Sequence, residues 1–251
     1  MNAADHRRPR VALVTGATRG IGLALAEALA ARGDVVLVCG RDRSRLDAQV
    51  AAMRARGWRA DAVELHLDDR DRLAAELAAL AGRLERLDAL VLNAADGGVR
   101  VPLPQYPAAR WQTVFQVNVH AVQALLATCH PLLLRAPAGR VLFLSSGVAR
   151  RPKPNAGAYA ASKAALDALA AVYALETAGS TLRSNVVNPG PTRTEMRAAA
   201  FPDEDPATVK PVAALLPLLL SLLDDGVEVA HGQLLDADDL IAAAGQPPPK
   251  P

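Results

Sequence analysis

The stretch NAGAYAASKAAL, residues 155–166, sets Tyr159 and Lys163 four positions apart. On a helix that spacing projects both side chains from one face, a turn apart. A free phenol ionises near pH 10, too high to exchange protons readily at neutral pH. A neighbouring ammonium stabilises phenolate and lowers such a value by about 1–3 units. The chain holds four lysines against 24 arginines, so a lysine here is a rare choice. Its compact charge on a flexible stem leaves donors free for a second partner, which a planar guanidinium does less well. Pairs at this spacing are also ordinary helix surface. Ser146, thirteen residues upstream at the end of the apolar run GRVLFLSS, narrows the choice. Open α/β sheets bind ligands at the carboxyl ends of their strands.

The elements that must position these residues follow from the apolar pattern. Continuous hydrophobic runs at 10–16, 34–40, 59–67, 87–95, 139–146 and 183–190 alternate with alanine- and leucine-rich helical stretches. Runs without polar alternation indicate strands buried on both faces, and hence a parallel sheet. Sustained strand–helix alternation predicts an α/β fold, a Rossmann-type doubly wound, mostly parallel seven-stranded sheet with helices on both faces. One long helix is expected from Trp111 to Leu134 and another over 157–178. We expect a flexible N-terminal tail over 1–9, a single catalytic domain over 10–243 and a disordered proline-rich tail over 244–251. The run LLPLLLSLL at 215–223 is too short to span a membrane and is expected to be a packed helix.

The first strand ends in TGATRGIG, residues 15–22, a glycine-rich turn opening a helix. Such a turn lets the chain double back at Gly16, admits a pyrophosphate against the backbone at Gly20 and lets the helix pack on the sheet at Gly22. Glycines alone have purely steric explanations, but their place after strand one favours a dinucleotide. With its T-G-x-x-x-G-x-G spacing, Ser146 and the YxxxK pair, the chain resembles the short-chain dehydrogenase/reductase family, over about residues 10–236.

The resemblance implies a hydride transfer between a nicotinamide and a carbonyl or alcohol. Tyr159 would be the general acid or base, Lys163 would lower its pKa and hold the nicotinamide ribose, and Ser146 would bind the substrate oxygen. Asn118, in FQVNVHA, would hold a water in a proton relay. Cofactor contacts are implied for Gly16, Thr18, Arg19, Gly20, Ile21 and Gly22 in the turn. Others fall to Asn93 and Ala94 after strand four, to Tyr159 and Lys163, and to Pro189, Gly190, Thr192 and Thr194 after strand six. The segment Leu92–Ala95 departs from the family's N-N-A-G, with Ala95 in place of the glycine; Thr192 replaces a more usual aliphatic residue. Asp68 stands where the family holds the adenine amino group, although a carboxylate capping the next helix would look the same.

Cofactor choice is read at the end of strand two. An acidic residue there suits a free ribose 2′-hydroxyl, but this chain has Arg41, with Arg19 in the first turn. Two guanidiniums can grip a phosphate dianion, which favours NADP(H) over NAD(H). Asp42 is expected to point away. The alternative is a pair of surface arginines in an arginine-rich chain.

A net charge of +2 gives no reason to expect a nucleic-acid partner. Cys39 and Cys129 form no CxxC motif, and no metal set is expected; the sparse cysteines fit a reducing, cytoplasmic setting. No membrane association is expected. Histidines 66, 120, 130 and 231 are read as structural or surface groups. Apolar residues on more than one face of the helices near 112–134 and 157–178 suggest a homodimer or homotetramer. The polar, proline-punctuated stretch to about residue 210 is expected to cover a small-molecule carbonyl or alcohol substrate. An NADP-binding sensor without turnover, or a dehydratase or epimerase on the same fold, are the competing readings.

Overall fold

The inner strands are short, largely apolar runs that the sheet buries almost completely, whereas its two edge strands are only partly buried. The computed structural model describes residues 8–226 and 229–244; the tails expected at 1–9 and 244–251 lie, for residues 1–7 and 245–251, outside them. Seven strands, β1 Val11–Thr15, β2 Val35–Gly40, β3 Arg59–Glu64, β4 Ala89–Leu92, β5 Arg140–Leu144, β6 Arg183–Asn188 and β7 Leu234–Asp236, form one sheet in the order 3-2-1-4-5-6-7. Every pairing is parallel, so the sheet is fully rather than mostly parallel. The order reverses between β1 and β4, which opens a crevice at their carboxyl ends.

Successive strand residues feed opposite faces. Leu13, Leu37 and Cys39 join one core with residues of α3 (Arg70–Arg83), α5 (Ala121–Leu133) and α6 (Gly157–Thr177). Ala12, Val14, Val36 and Val38 join the other with α1 (Gly20–Ala31), α2 (Arg43–Ala55) and α8 (Leu216–Leu222). The apolar run at 215–223 is thus packed on the sheet through Leu215, Leu219 and Leu223, all fully buried. A last helix, α9 (Ala237–Ala244), follows β7 directly.

Asp42 and Asp69 accept from the backbone N–H of Arg45 and Arg72, each at 3.1 Å, and so cap α2 and α3. Capping at α3 therefore falls to Asp69 and not to Asp68. Asp42 is turned into its own helix, away from Arg41.

The helix expected from Trp111 to Leu134 is not continuous. It begins as α4 (Ala108–Phe115), passes through a π-helical turn at Gln116–His120 and resumes as α5. Wider turns of this kind recur at functional sites, where a side chain must be re-aimed. Here the re-aimed residue is Asn118, 1% exposed. The histidines take structural partners: His66 meets Glu76 at 2.8 Å, His130 meets the Tyr173 hydroxyl at 2.9 Å and His231 the Ala174 carbonyl at 2.7 Å.

Candidate active site

The end of β5 and the first turns of α6 bring the candidate catalytic residues together. Buried Lys163 donates from Nζ to the Leu144 carbonyl at 2.7 Å. Its Nζ stands 5.9 Å from the centre of the Tyr159 ring. Tyr159 shares a hydrogen bond with the Ser146 hydroxyl, and Ser146 also accepts from the Val148 N–H at 3.4 Å. The three side chains expected from spacing thus meet at the carboxyl edge of the sheet.

The electrostatics differ from the expectation. Burial pushes the Tyr159 phenol above its ordinary value, opposed by the Ser146 hydrogen bond. Burial pulls the Lys163 ammonium down to about 8, opposed by the charge of Asp167. Burial raises Tyr159 where a depression by Lys163 was expected; the ammonium donates to the Leu144 carbonyl. Desolvation then decides the direction.

Asn118 is held from three sides. Its Nδ2 donates to the Asp96 carbonyl and to Ser162 Oγ, both at 2.9 Å, and its Oδ1 accepts from the Asp96 N–H at 2.8 Å. Both amide protons are therefore used, as a buried amide requires. The side chain anchors the loop after β4, which Arg110 also grips through the Asp96 carboxylate at 2.9 Å. Asp96, Arg110 and Ser162 carry no motif and were not singled out from sequence.

The glycine turn forms a cradle whose shape fits a dinucleotide. Gly16 and Gly20 have φ of +63° and +58°, a region that costs other residues free energy. A methyl on Gly22 would lie 2.5 Å from both Asn93 Nδ2 and the Gly16 carbonyl. Asn93 supports the turn from beneath, donating to the carbonyls of Thr15 at 2.8 Å and Gly16 at 3.2 Å. Ala94 donates its N–H to Thr15 Oγ1 at 3.1 Å. The Thr18 methyl lies 2.9 Å from where a Cβ on Gly40 would stand, so that glycine admits the turn against β2. Ile21 packs on the α1-side core.

Across the crevice, Pro189 and Gly190 turn the chain after β6, with Gly190 at φ +64°. Thr192 is buried and directs its hydroxyl to the carbonyls of Pro189 and Gly190, each at 3.2 Å. Thr194 caps α7 (Glu195–Ala200) by accepting from the Arg197 N–H at 3.2 Å. Its methyl faces Gly20 across the cradle, 3.5 Å from where a Cβ would be.

The expected covering segment folds into α7 and a short 3-10 turn at Pro206–Thr208, and is tied on both sides. Glu195 pairs with Arg19 at 2.6 Å. The Phe201 ring lies between the guanidiniums of Arg197, at 3.9 Å, and Arg100, at 4.7 Å; Arg197 is held in turn by Glu204 at 2.5 Å. Arg41 pairs with Asp68 at 2.7 Å. Both arginines expected at a 2′-phosphate thus carry carboxylate partners. Among the described residues, no helix is long and apolar enough to cross a membrane.

Comparisons with known proteins agree with this geometry. Residues 10–205 match the family model for short chain dehydrogenases. The Escherichia coli oxidoreductase YciK is 38% identical over 236 residues, 93% of each chain. The bovine dehydrogenase/reductase SDR family member 4 is 35% identical over 82% of this chain and 73% of its own. A Shigella flexneri short chain dehydrogenase complexed with NADP superimposes with a TM-score of 0.86 at 37% identity, covering 91% of this chain and 97% of that one. An Escherichia coli counterpart complexed with NADPH gives 0.85 at 38% identity, over 91% and 96%.

Proposed function

The chain belongs to the short-chain dehydrogenase family and is an oxidoreductase, and from that premise we propose that it is NADP(H)-dependent and interconverts a carbonyl and an alcohol. The observation that carries this reading is the meeting of Ser146, Tyr159 and Lys163 at the sheet edge that also bears the glycine cradle. NADP(H), when bound, supplies or accepts the hydride. Ser146 hydrogen-bonds the substrate oxygen, and Tyr159 gives it a proton in reduction and takes one in oxidation. Lys163 swings part of its donor capacity from the Leu144 carbonyl to the nicotinamide ribose and supports phenolate with its charge. Asn118 holds the loop at Asp96 and passes protons from Lys163 toward solvent through a water. Gly16, Thr18, Gly20, Ile21 and Gly22 hold the pyrophosphate, Asn93 and Ala94 flank a ribose, and Asp68 meets the adenine. Pro189, Gly190, Thr192 and Thr194 line the nicotinamide side.

NADP(H) is favoured over NAD(H) because Arg19 and Arg41 stand at the mouth of the cradle, and relatives similar over almost their whole length were solved with NADP and NADPH. The exposed face of α6, with Ala161, Ala164, Ala168, Val172 and Leu175, supports a homodimer or homotetramer.

A screen of NADPH oxidation across aldehydes, ketones and quinones, run beside Tyr159→Phe, tests the mechanism. The variant is expected to lose on the order of 10²–10⁴-fold in kcat, with NADPH affinity little changed. Equal rates for every active compound would remove Tyr159 from the chemistry, and a lower KM for NADH than for NADPH would remove the cofactor preference.

A further inference from the structure

Asp167 is a partly buried carboxylate that the mechanism above does not use. It follows Lys163 by one turn of α6, so Tyr159, Lys163 and Asp167 form a single row at i, i+4 and i+8. Its Oδ1 accepts a hydrogen bond from the Ser145 hydroxyl. Its Oδ2 is buried and meets no protein donor among the described residues. Leaving a carboxylate oxygen so placed is costly unless a nearby positive charge offsets it.

The row on α6 also grips three consecutive residues at the end of β5. Lys163 takes the Leu144 carbonyl, Asp167 the Ser145 hydroxyl and Tyr159 the Ser146 hydroxyl. Ser145 is only 4% exposed and is fixed on its other side by its N–H to the Val187 carbonyl at 2.8 Å. The strand end that presents Ser146 is therefore set by Asp167 as much as by the sheet.

We propose that Asp167 is a positioning residue for this group, supplying the counter-charge of Lys163 and, through Ser145, fixing the strand end that presents Ser146. The charged groups that act on Asp167 are Lys163 on its own helix and Arg150 beyond β5. Arg150 lies 4.0 Å from Asp236 and so is shared with a second carboxylate. Asp167 is the charged group that opposes the desolvation of Lys163.

The proposal rests on the reading of Lys163 given above, and its test is read in the cofactor-free protein so that the two can fail separately. With only four lysines in the chain, 13Cε-lysine labelling gives few resonances, and Lys163→Met identifies the one that matters. Asp167→Asn keeps the shape and an acceptor for Ser145 but removes the charge. The Lys163 midpoint is expected to fall by on the order of 1 pH unit in that variant, and the alkaline limb of kcat/KM to move the same way. Ser145→Ala, which keeps the charge, is expected to lower kcat through Ser146. An unchanged Lys163 midpoint in Asp167→Asn would overturn the proposal, as would full kcat in Ser145→Ala. Should the asparagine variant not fold, the double variant Asp167→Ala with Ser145→Ala removes both hydrogen-bond partners, and the same midpoint decides. A wild-type protein inactive on every compound would sink the proposed function and still leave the titration to judge Asp167.

Discussion

A lysine that releases its proton near pH 8 pays for its place in the core. In the folded chain Lys163 loses its proton at about 8 and in a solvated chain near 10.5, so between these values the unfolded state binds more protons. Stability from this residue accordingly rises as the pH climbs from about 8 to 10.5 and is at its lowest below that window. Lys163→Met removes the effect, so the wild type should gain on the variant across this range. The full swing is on the order of 3 kcal/mol, readable as diverging denaturation midpoints in paired urea titrations; parallel midpoints would contradict the burial of a charged lysine. Ser146, Tyr159 and Lys163 could be singled out together from residue type and spacing, and the folded chain brings them to one sheet edge; Asn118 entered only through the family resemblance. Asp167 shares the helical spacing of Lys163, yet nothing in the sequence says that this face is the buried one. Asp96 and Arg110 were illegible for another reason: their role arises from a loop contact with Asn118 that only the folded chain creates.

At the scale of elements, the turn between β1 and α1 is packed closely against the end of β4. Gly22 leaves no room for a side chain between Asn93 and the Gly16 carbonyl, so Gly22→Ala must push either the turn or the β4 end aside. We expect a loss of about 1–3 kcal/mol in stability together with weaker NADPH binding, checked by thermal denaturation and fluorescence titration. An unaltered midpoint would mean that both the Asn93 amide and the Gly16 carbonyl give way without cost. The seventh strand, Leu234–Asp236, is partly exposed and carries no continuous apolar run, but the positions of the other six were legible from such runs. The break at Gln116–His120 was not, because its apolar pattern reads as uninterrupted helix; the wider turn forms around the three hydrogen bonds of Asn118. The head of the covering segment forms a short helix, Glu195–Ala200, capped by Thr194.

For the whole molecule, α6 carries an exposed apolar row. Leu175 is 79% and Val172 52% exposed, an arrangement that a second copy of the chain would bury. The double variant Val172→Asp with Leu175→Asp should run as a monomer in light scattering after size exclusion. A wild type that is itself monomeric would refute the assembly. The pairs Arg19–Glu195 and Arg41–Asp68 have a consequence that reaches the solvent. A phosphate arriving at bare arginines is drawn by charges that salt screens, so its affinity falls as salt is added. Here it meets arginines that Glu195 and Asp68 already neutralise, so little net attraction is left for salt to screen. NADPH affinity should therefore decline only gently with ionic strength, and Glu195→Gln, by unmasking Arg19, should both tighten binding at low salt and steepen that decline. The carboxylates would act in this way as built-in counterions, making cofactor loading resistant to changes in the salt around the protein.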